Sequence, residues 1–233
     1  MAKHLRRVVA IARRRLQPPV ALLFGVAIQL AAPGARRAGV FTKTPSAWEI
    51  VANYTRGWVL FGHTSKGIYG LEWHRFPQRA VITQETAHVP KKLLYVQRRQ
   101  KLEVRFNEDF EAIVEGCREG RSGWLTDEAV NAYRQVHDLG FSATVGTYRD
   151  GRLVGGMWGI TVGRVFTIMS MFHTEDHAGS LAIVAVAERV IAGDQWSLVD
   201  FGFLTDNSKR FGASYIPTDK FCEVIWQSMP SVS

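Results

Sequence analysis

The chain has 233 residues, of which 46% are hydrophobic and 21% charged, an ordinary balance for one large or two small globular domains. Its formal charge of +8 favours an anionic partner, such as nucleic acid or a membrane surface, over the alternative of a merely basic soluble enzyme. The two cysteines, Cys117 and Cys222, lie far apart in the chain, which excludes a disulfide framework or zinc-type spacing and favours a reducing compartment.

Residues 1–40 form a basic and then apolar segment whose role the sequence leaves open. Residues 1–19 contain six Lys and Arg and no acid, and an apolar run follows from Val20 to Ala32. This order is typical of a secretory signal, and the run is shorter than the roughly 20 residues that span a bilayer. A basic helix followed by a buried element, or a basic arm on RNA or a membrane surface, fits the same residues.

The next stretch predicts two helices separated by strands and loops. The first runs between Thr44 and Gly57, with Thr44 or Ser46 as its cap, and residues 58–77, rich in glycine and aromatics, predict short strands and loops. The second helix lies within His88–Lys101, where apolar residues alternate with bases at helical spacing. We expect its apolar side to face the core and its bases to face solvent.

The second half of the chain changes from helical to strand periodicity. A strand and a helix capped by Asn107 come first, then a helix that is capped by Thr126 and ended by Gly140. Three antiparallel strands follow within residues 142–173, then a helix, an apolar strand from Trp196 to Leu204, and a short helix with a last strand or turn. This order predicts an α+β fold with a mixed, acetyltransferase-like (GNAT-like) sheet.

Several segments in this order resemble one family. They are "GWLTDEAVNAYRQVHDLGFSATV", "LVGGMWGITVGRVF", "SMF" and "LVDFGFLTDNSKRFGASYIP". They are similar to the leucyl/phenylalanyl-tRNA–protein transferases, and the similarity extends from about Tyr54 to Pro217. The resemblance implies a small N-terminal domain, residues 41–76, and an acetyltransferase-like transfer domain, residues 77–233.

The resemblance also implies an activity. Such an enzyme moves a leucyl or phenylalanyl group from aminoacyl-tRNA to the N-terminal amine of an acceptor protein or peptide with a basic N-terminus, in N-end rule protein degradation. It implies no metal and no cofactor, and a monomer. Because aminoacyl-tRNA is cytosolic, we expect a cytoplasmic protein. Export, or contact with a membrane surface through residues 1–40, is the alternative.

The resemblance assigns binding residues for each part of the donor. Core packing, or a solvated charged helix face, would produce the same residue types. The aminoacyl pocket is assigned to Met157, Phe166, Met171 and Val199, adenosine stacking to Trp124 and Phe61, and tRNA phosphate binding to Lys91, Lys92, Arg98 and Arg99.

The catalytic positions depart from the family pattern. Met169 stands where the family has glutamate and Gly202 where it has glutamine, whereas Ser170 and Asp200 are retained as catalytic candidates. Three explanations remain open. The reaction is the family's, with proton transfer through Asp200, Ser170 or a tRNA hydroxyl; the amine acceptor has changed; or the protein binds charged tRNA or peptide without catalysis. A hydrolase triad of Ser170, His173 and Asp200 is disfavoured, because residues three apart on a strand point to opposite faces.

Overall fold

The computed structural model describes residues 36–37, 39–65, 68–99, 101–120 and 123–229. The predictions made for residues 1–35 lie outside these ranges. Among the helices within them, none is long and apolar enough to cross a bilayer. In chain order the elements are β1 (Arg36–Arg37), α1 (Ala47–Tyr54), β2 (Trp58–Ser65), β3 (Ile68–Arg75), β4 (Gln78–Thr83), α2 (Lys91–Arg99), β5 (Leu102–Phe106), α3 (Phe110–Gly120), α4 (Asp127–Asp138), β6 (Ser142–Arg149), β7 (Arg152–Val162), β8 (Val165–His173), α5 (Ala178–Ala192), β9 (Leu198–Asp200), α6 (Asp206–Lys209), β10 (Ser214–Pro217) and α7 (Thr218–Ser228).

The chain divides into two compact units. Unit 1 holds the described residues up to Pro77 and those from 123 to Val136, and unit 2 holds the remainder. In unit 1 the strands form a sheet of order β1-β3-β2. Strands β2 and β3 are a hairpin of two eight-residue strands, longer than the short strands predicted there. The predicted helix α1 is confirmed, and Ser46 caps it in a capping box with Glu49.

Unit 2 is built on a seven-stranded sheet of order β10-β4-β9-β8-β7-β6-β5. The predicted meander β6-β7-β8 is confirmed, and all neighbouring strands are antiparallel except β8 and β9, which are parallel. The α+β class with a mixed sheet is therefore confirmed. Helix α5 is apolar on most of its surface because it packs against one face of this sheet and also against helix α2, and it contributes to the hydrophobic core.

Strand β8 contains a β-bulge that decides which side chains reach which face. Ser170 pairs with Trp158 and Ile168 pairs with Gly159, so Met169 is the extra residue. Phe166 and Ile168, before the bulge, belong to the core beneath α5, and so does Met171 after it. The bulge thus shifts the alternation by one residue. Gly159 is required opposite it, because a Cβ there would lie 1.9 Å from the carbonyl oxygen of Thr167.

The predicted ends of α4 are confirmed, whereas the predicted cap of α3 is not. Thr126 caps α4 by accepting a hydrogen bond from the backbone N–H of Ala129, and Gly140 ends the helix with φ of 78°, as predicted. The prediction that Asn107 caps α3 is wrong. Its backbone is left-handed and its N–H donates to the carbonyl of Thr144, so it closes the end of β5, and α3 begins only at Phe110.

Candidate active site on the mixed sheet

Four apolar side chains assigned to the aminoacyl pocket lie together under α5. We call Met157, Phe166, Met171 and Val199 the apolar set. Phe166 pairs in register with Val199 and Met157 with Met171, so adjacent strands bring them side by side. Three of them are fully buried, and Met171 is partly buried at the edge of the same core.

Trp196 adds to this cluster an aromatic ring that the sequence analysis did not indicate. The indole of Trp196 stacks on Phe166 with ring centroids 4.7 Å apart and an interplanar angle of 17°. Its Nε1 donates to Oγ1 of Thr161 at 3.1 Å, so the buried indole N–H is satisfied. The sequence "GDQW" predicts a turn, and only the parallel pairing of β9 with β8 brings Trp196 against Phe166.

Asp200 is fully buried and accepts hydrogen bonds from three other residues. Arg79 Nε lies 2.9 Å from Oδ2 and its Nη2 forms an ion pair with the same oxygen. Thr167 Oγ1 donates to Oδ2 at 2.9 Å, and the N–H of Gly202 donates to Oδ1 at 2.7 Å. The Arg79 guanidinium also lies over the ring of Phe221, 4.9 Å from its centroid. Both carboxylate oxygens of Asp200 thus accept hydrogen bonds, and these fix the position of the side chain.

The other catalytic candidate, Ser170, faces helix α3. It forms a side-chain hydrogen bond with Cys117, and burial raises the pKa of that thiol to about 12. A thiol with such a pKa is protonated near neutral pH and does not act as a base. His173 lies on the other face, beside Gly179 of α5, so the structure does not assemble a Ser170–His173 pair.

The sheet separates the two groups of candidates. Val199 and Phe166 face α5, so their neighbours Asp200 and Thr167 face away from it. Ser170 faces away as well, because Met171 faces α5. The structure therefore brings the apolar set together but does not bring Asp200 or Ser170 to it.

Met169 and Gly202, where the sequence analysis expects departures from the family pattern, occupy special backbone positions. Met169 is the bulged residue of β8 and is half-buried. Gly202 has φ of 74°, and a Cβ built there would meet nothing within 4 Å. A side chain at position 202 would be opposed by the left-handed backbone and not by lack of space.

Phe61 and Trp124 contact each other in unit 1. Their centroids are 5.0 Å apart at 75°, and both rings are buried. Phe61 also meets the edge of His74, whose Nε2 lies 2.7 Å from Oε1 of Glu72. Burial alone would raise the pKa of Glu72, but His74 and then His63 lower it by hydrogen bonding and charge.

Helix α2 has the predicted amphipathic character. Leu93 and Val96 are buried, whereas four cationic side chains are exposed and form what we call the basic face: Lys91, Lys92, Arg98 and Arg99. In the part of the chain that the structure describes, no group of three or more His, Cys, Asp or Glu side chains is arranged to hold a metal ion.

Comparison with known proteins shows which family the chain belongs to. The sequence profile of "Leucyl/phenylalanyl-tRNA protein transferase" matches residues 81–225. The chain belongs to this family. It is 30% identical over 178 residues to the leucyl/phenylalanyl-tRNA–protein transferase of Herpetosiphon aurantiacus, covering 73% of this chain and 92% of that protein. It is 32% identical over 185 residues to that of Myxococcus xanthus, covering 77% of each.

Among solved structures, the chain is similar to a GCN5-related glucosamine N-acetyltransferase region of a fungal multi-domain β-N-acetylglucosaminidase. The sequence identity is 14% and the TM-score is 0.44, with coverage of 77% of this chain and 23% of that one.

The burial of Cys117 predicts that its thiol reacts slowly with alkylating reagents. Because burial raises the pKa of this thiol, it stays protonated at pH 8, so iodoacetamide should leave Cys117 unmodified in the folded protein. Peptide mapping by mass spectrometry before and after urea denaturation measures this, with Cys222 as the comparison thiol. Equal modification of Cys117 in both states would contradict the burial described.

Proposed function

We propose that this chain transfers a leucyl or phenylalanyl group from charged tRNA to the N-terminal amine of an acceptor protein. The observation that carries the proposal is the family match over residues 81–225, which begins in β4 and ends in α7. That range includes the whole apolar set and Asp200. Because charged tRNA is the donor, we place the reaction in the cytoplasm, with acceptors that carry a basic N-terminal residue as in N-end rule degradation.

The apolar set supports the choice of donor. Methionine side chains adapt to both branched and ring-shaped groups, and Phe166 with Trp196 offers an aromatic wall. Met171 is the partly buried member, so we propose it at the mouth of the pocket. We also propose that Phe61 and Trp124 bind the adenosine of the charged tRNA. Since both rings are buried, stacking there requires one ring to turn or move aside.

The reaction is aminolysis of an ester. The neutral amine nitrogen attacks the ester carbonyl carbon, the new C–N bond forms, and the bond to the tRNA ribose oxygen breaks. The nitrogen loses one proton and the ribose oxygen gains one. Positioning an amine against an ester can supply a large share of the acceleration on its own.

The proton route follows from the residues present. Asp200 is held by Arg79, Thr167 and Gly202, and Ser170 lies across the sheet from the apolar set. We therefore assign Asp200 and Ser170 positioning roles and route the proton through a ribose hydroxyl of the tRNA. Met169 and Gly202, in place of an acid and an amide, are consistent with a site that relies on positioning.

The proposal is tested by incubating the purified chain with tRNA charged with radiolabelled leucine or phenylalanine and a peptide that begins with Arg or Lys. Label is expected in the peptide, and none in a matched peptide whose N-terminus is acetylated. Transfer only to other amines would favour a changed acceptor. Intact binding of charged tRNA with no transfer to any amine would favour a binding protein.

The basic face predicts a salt effect. We consider the variant in which alanine replaces all four residues of the basic face: Lys91, Lys92, Arg98 and Arg99. Its affinity for tRNA should fall less steeply with salt. The slope of log affinity against log salt should become shallower by about 0.7–0.9 for each phosphate that the protein no longer neutralises. The matched control removes four other exposed charges of unit 2: Arg152, Lys209, Arg210 and Lys220. Equal slopes for the two variants, measured by filter binding over a KCl series, would contradict the assignment.

A further inference from the structure

Tyr95 is an exposed aromatic ring in the middle of the basic face. It is 57% exposed, whereas Leu93 and Val96 of the same helix are buried and Leu94 is half-buried. It lies four residues from Lys91 and from Arg99, and three from Lys92 and from Arg98. Positions three and four apart share one side of a helix, so cations flank the ring in both directions along α2.

The ring is already engaged by one of these cations. The Arg99 guanidinium carbon lies 5.0 Å from the centroid of Tyr95, a cation–π geometry. Helix α2 itself carries no acidic residue, and Gln97, on its other flank, is the residue that reaches an acid, Glu188, at 3.5 Å. Cationic side chains therefore flank Tyr95 on this side of α2, and one of them already contacts its ring.

We propose that Tyr95 stacks an unpaired nucleobase of the RNA, while the basic face contacts the phosphates on either side of it. Proteins that bind unpaired nucleic acid combine an aromatic platform with a positively charged path for the backbone, and both occur here on one short helix. The inference rests on the proposed function only for the identity of the RNA as tRNA.

The same surface fits a lipid membrane poorly. A helix that lies in a bilayer surface presents a broad apolar face to the acyl chains. In α2 Leu93 and Val96 are buried in the protein and Leu94 is half-buried, so the exposed side presents one tyrosine ring among four charges. Anionic lipid would still be attracted by the four positive charges, so the test must distinguish lipid binding from RNA binding.

The test compares Tyr95→Ala with Tyr95→Phe and with Trp226→Ala, which removes a ring of similar exposure (59%) on another helix. We expect Tyr95→Ala to weaken tRNA binding on the order of tenfold, with the salt slope unchanged. Tyr95→Phe should stay within about twofold of the parent chain, because stacking needs no hydroxyl. Trp226→Ala should bind normally. Tyr95→Ala binding tRNA as tightly as the parent would overturn the inference.

Two further probes separate the alternatives. Tyr95→Ala should lose affinity for a single-stranded oligoribonucleotide and not for a fully paired RNA duplex, and an equal loss for both would refute base stacking. Tyr95-dependent binding to phosphatidylglycerol vesicles, with RNA binding independent of Tyr95, would replace the inference with a lipid contact. If the parent chain fails to transfer leucine while Tyr95→Ala still weakens RNA binding, the proposed function fails and the stacking site stands.

Discussion

Replacing Asp200 with alanine is expected to lower the free energy of unfolding by about 3–5 kcal/mol, because it leaves the buried Arg79 guanidinium without its carboxylate. Thr167 and the Gly202 N–H lose their acceptor at the same time. Urea denaturation followed by tryptophan fluorescence measures the change. Under conditions where the variant is folded, we also expect reduced transfer, since Asp200 fixes the turn that follows Val199.

Two variants control this result. Asp206→Ala removes a fully exposed aspartate paired with Lys209, and we expect no measurable change in its unfolding midpoint. The double variant Arg79→Met with Asp200→Leu should recover part of the stability, because it leaves no unpaired charge in the core. If Asp200→Ala proves no more harmful than Asp206→Ala, the buried ion pair does not stabilise this fold as described.

Replacing Phe166 with alanine should also cost about 3–5 kcal/mol, because the ring is fully buried and stacked on Trp196, so its removal leaves a cavity under α5. If the apolar set forms the aminoacyl pocket, the same cavity should shift the donor preference toward the bulkier phenylalanyl group, on the order of tenfold in the ratio of transfer rates. Calorimetry measures the first effect and competition between the two charged tRNAs measures the second.

The two readouts separate packing from binding. Phe166→Leu keeps most of the volume and serves as the matched control, with a smaller loss of stability. A large loss of stability with an unchanged donor ratio would mean that Phe166 is a core residue and that the pocket lies elsewhere.

Much of the fold could be predicted, because hydrophobic period and cap residues are local signals. Thr126 and Gly140 delimit α4, and the alternation of residues 142–173 indicates the meander. The pairing of strands that are distant in sequence could not be predicted from these local signals. The apolar run from Trp196 predicts a long strand, but β9 stops at Asp200 because the chain turns at Gly202, where a left-handed backbone returns its N–H to the Asp200 carboxylate.

The candidate site could be predicted in residue identity but not in arrangement. Spacing and resemblance single out Phe166, Met171 and Asp200. The position of the bulge at Met169 depends on the pairing of β8 with β7, which no local pattern reveals. That bulge places Phe166 and Met171 on one face, and Asp200 projects from the other. Arg79, the partner of Asp200, is 121 residues away in sequence, and its role appears only once β4 pairs with β9.

The most direct test of the account is the mass and fragmentation pattern of an Arg-initiated peptide after incubation with the purified chain and leucyl-tRNA. We predict a peptide heavier by one leucyl residue, with the addition on the N-terminal nitrogen. A peptide of unchanged mass, under conditions where the chain is folded and binds the charged tRNA, would contradict it.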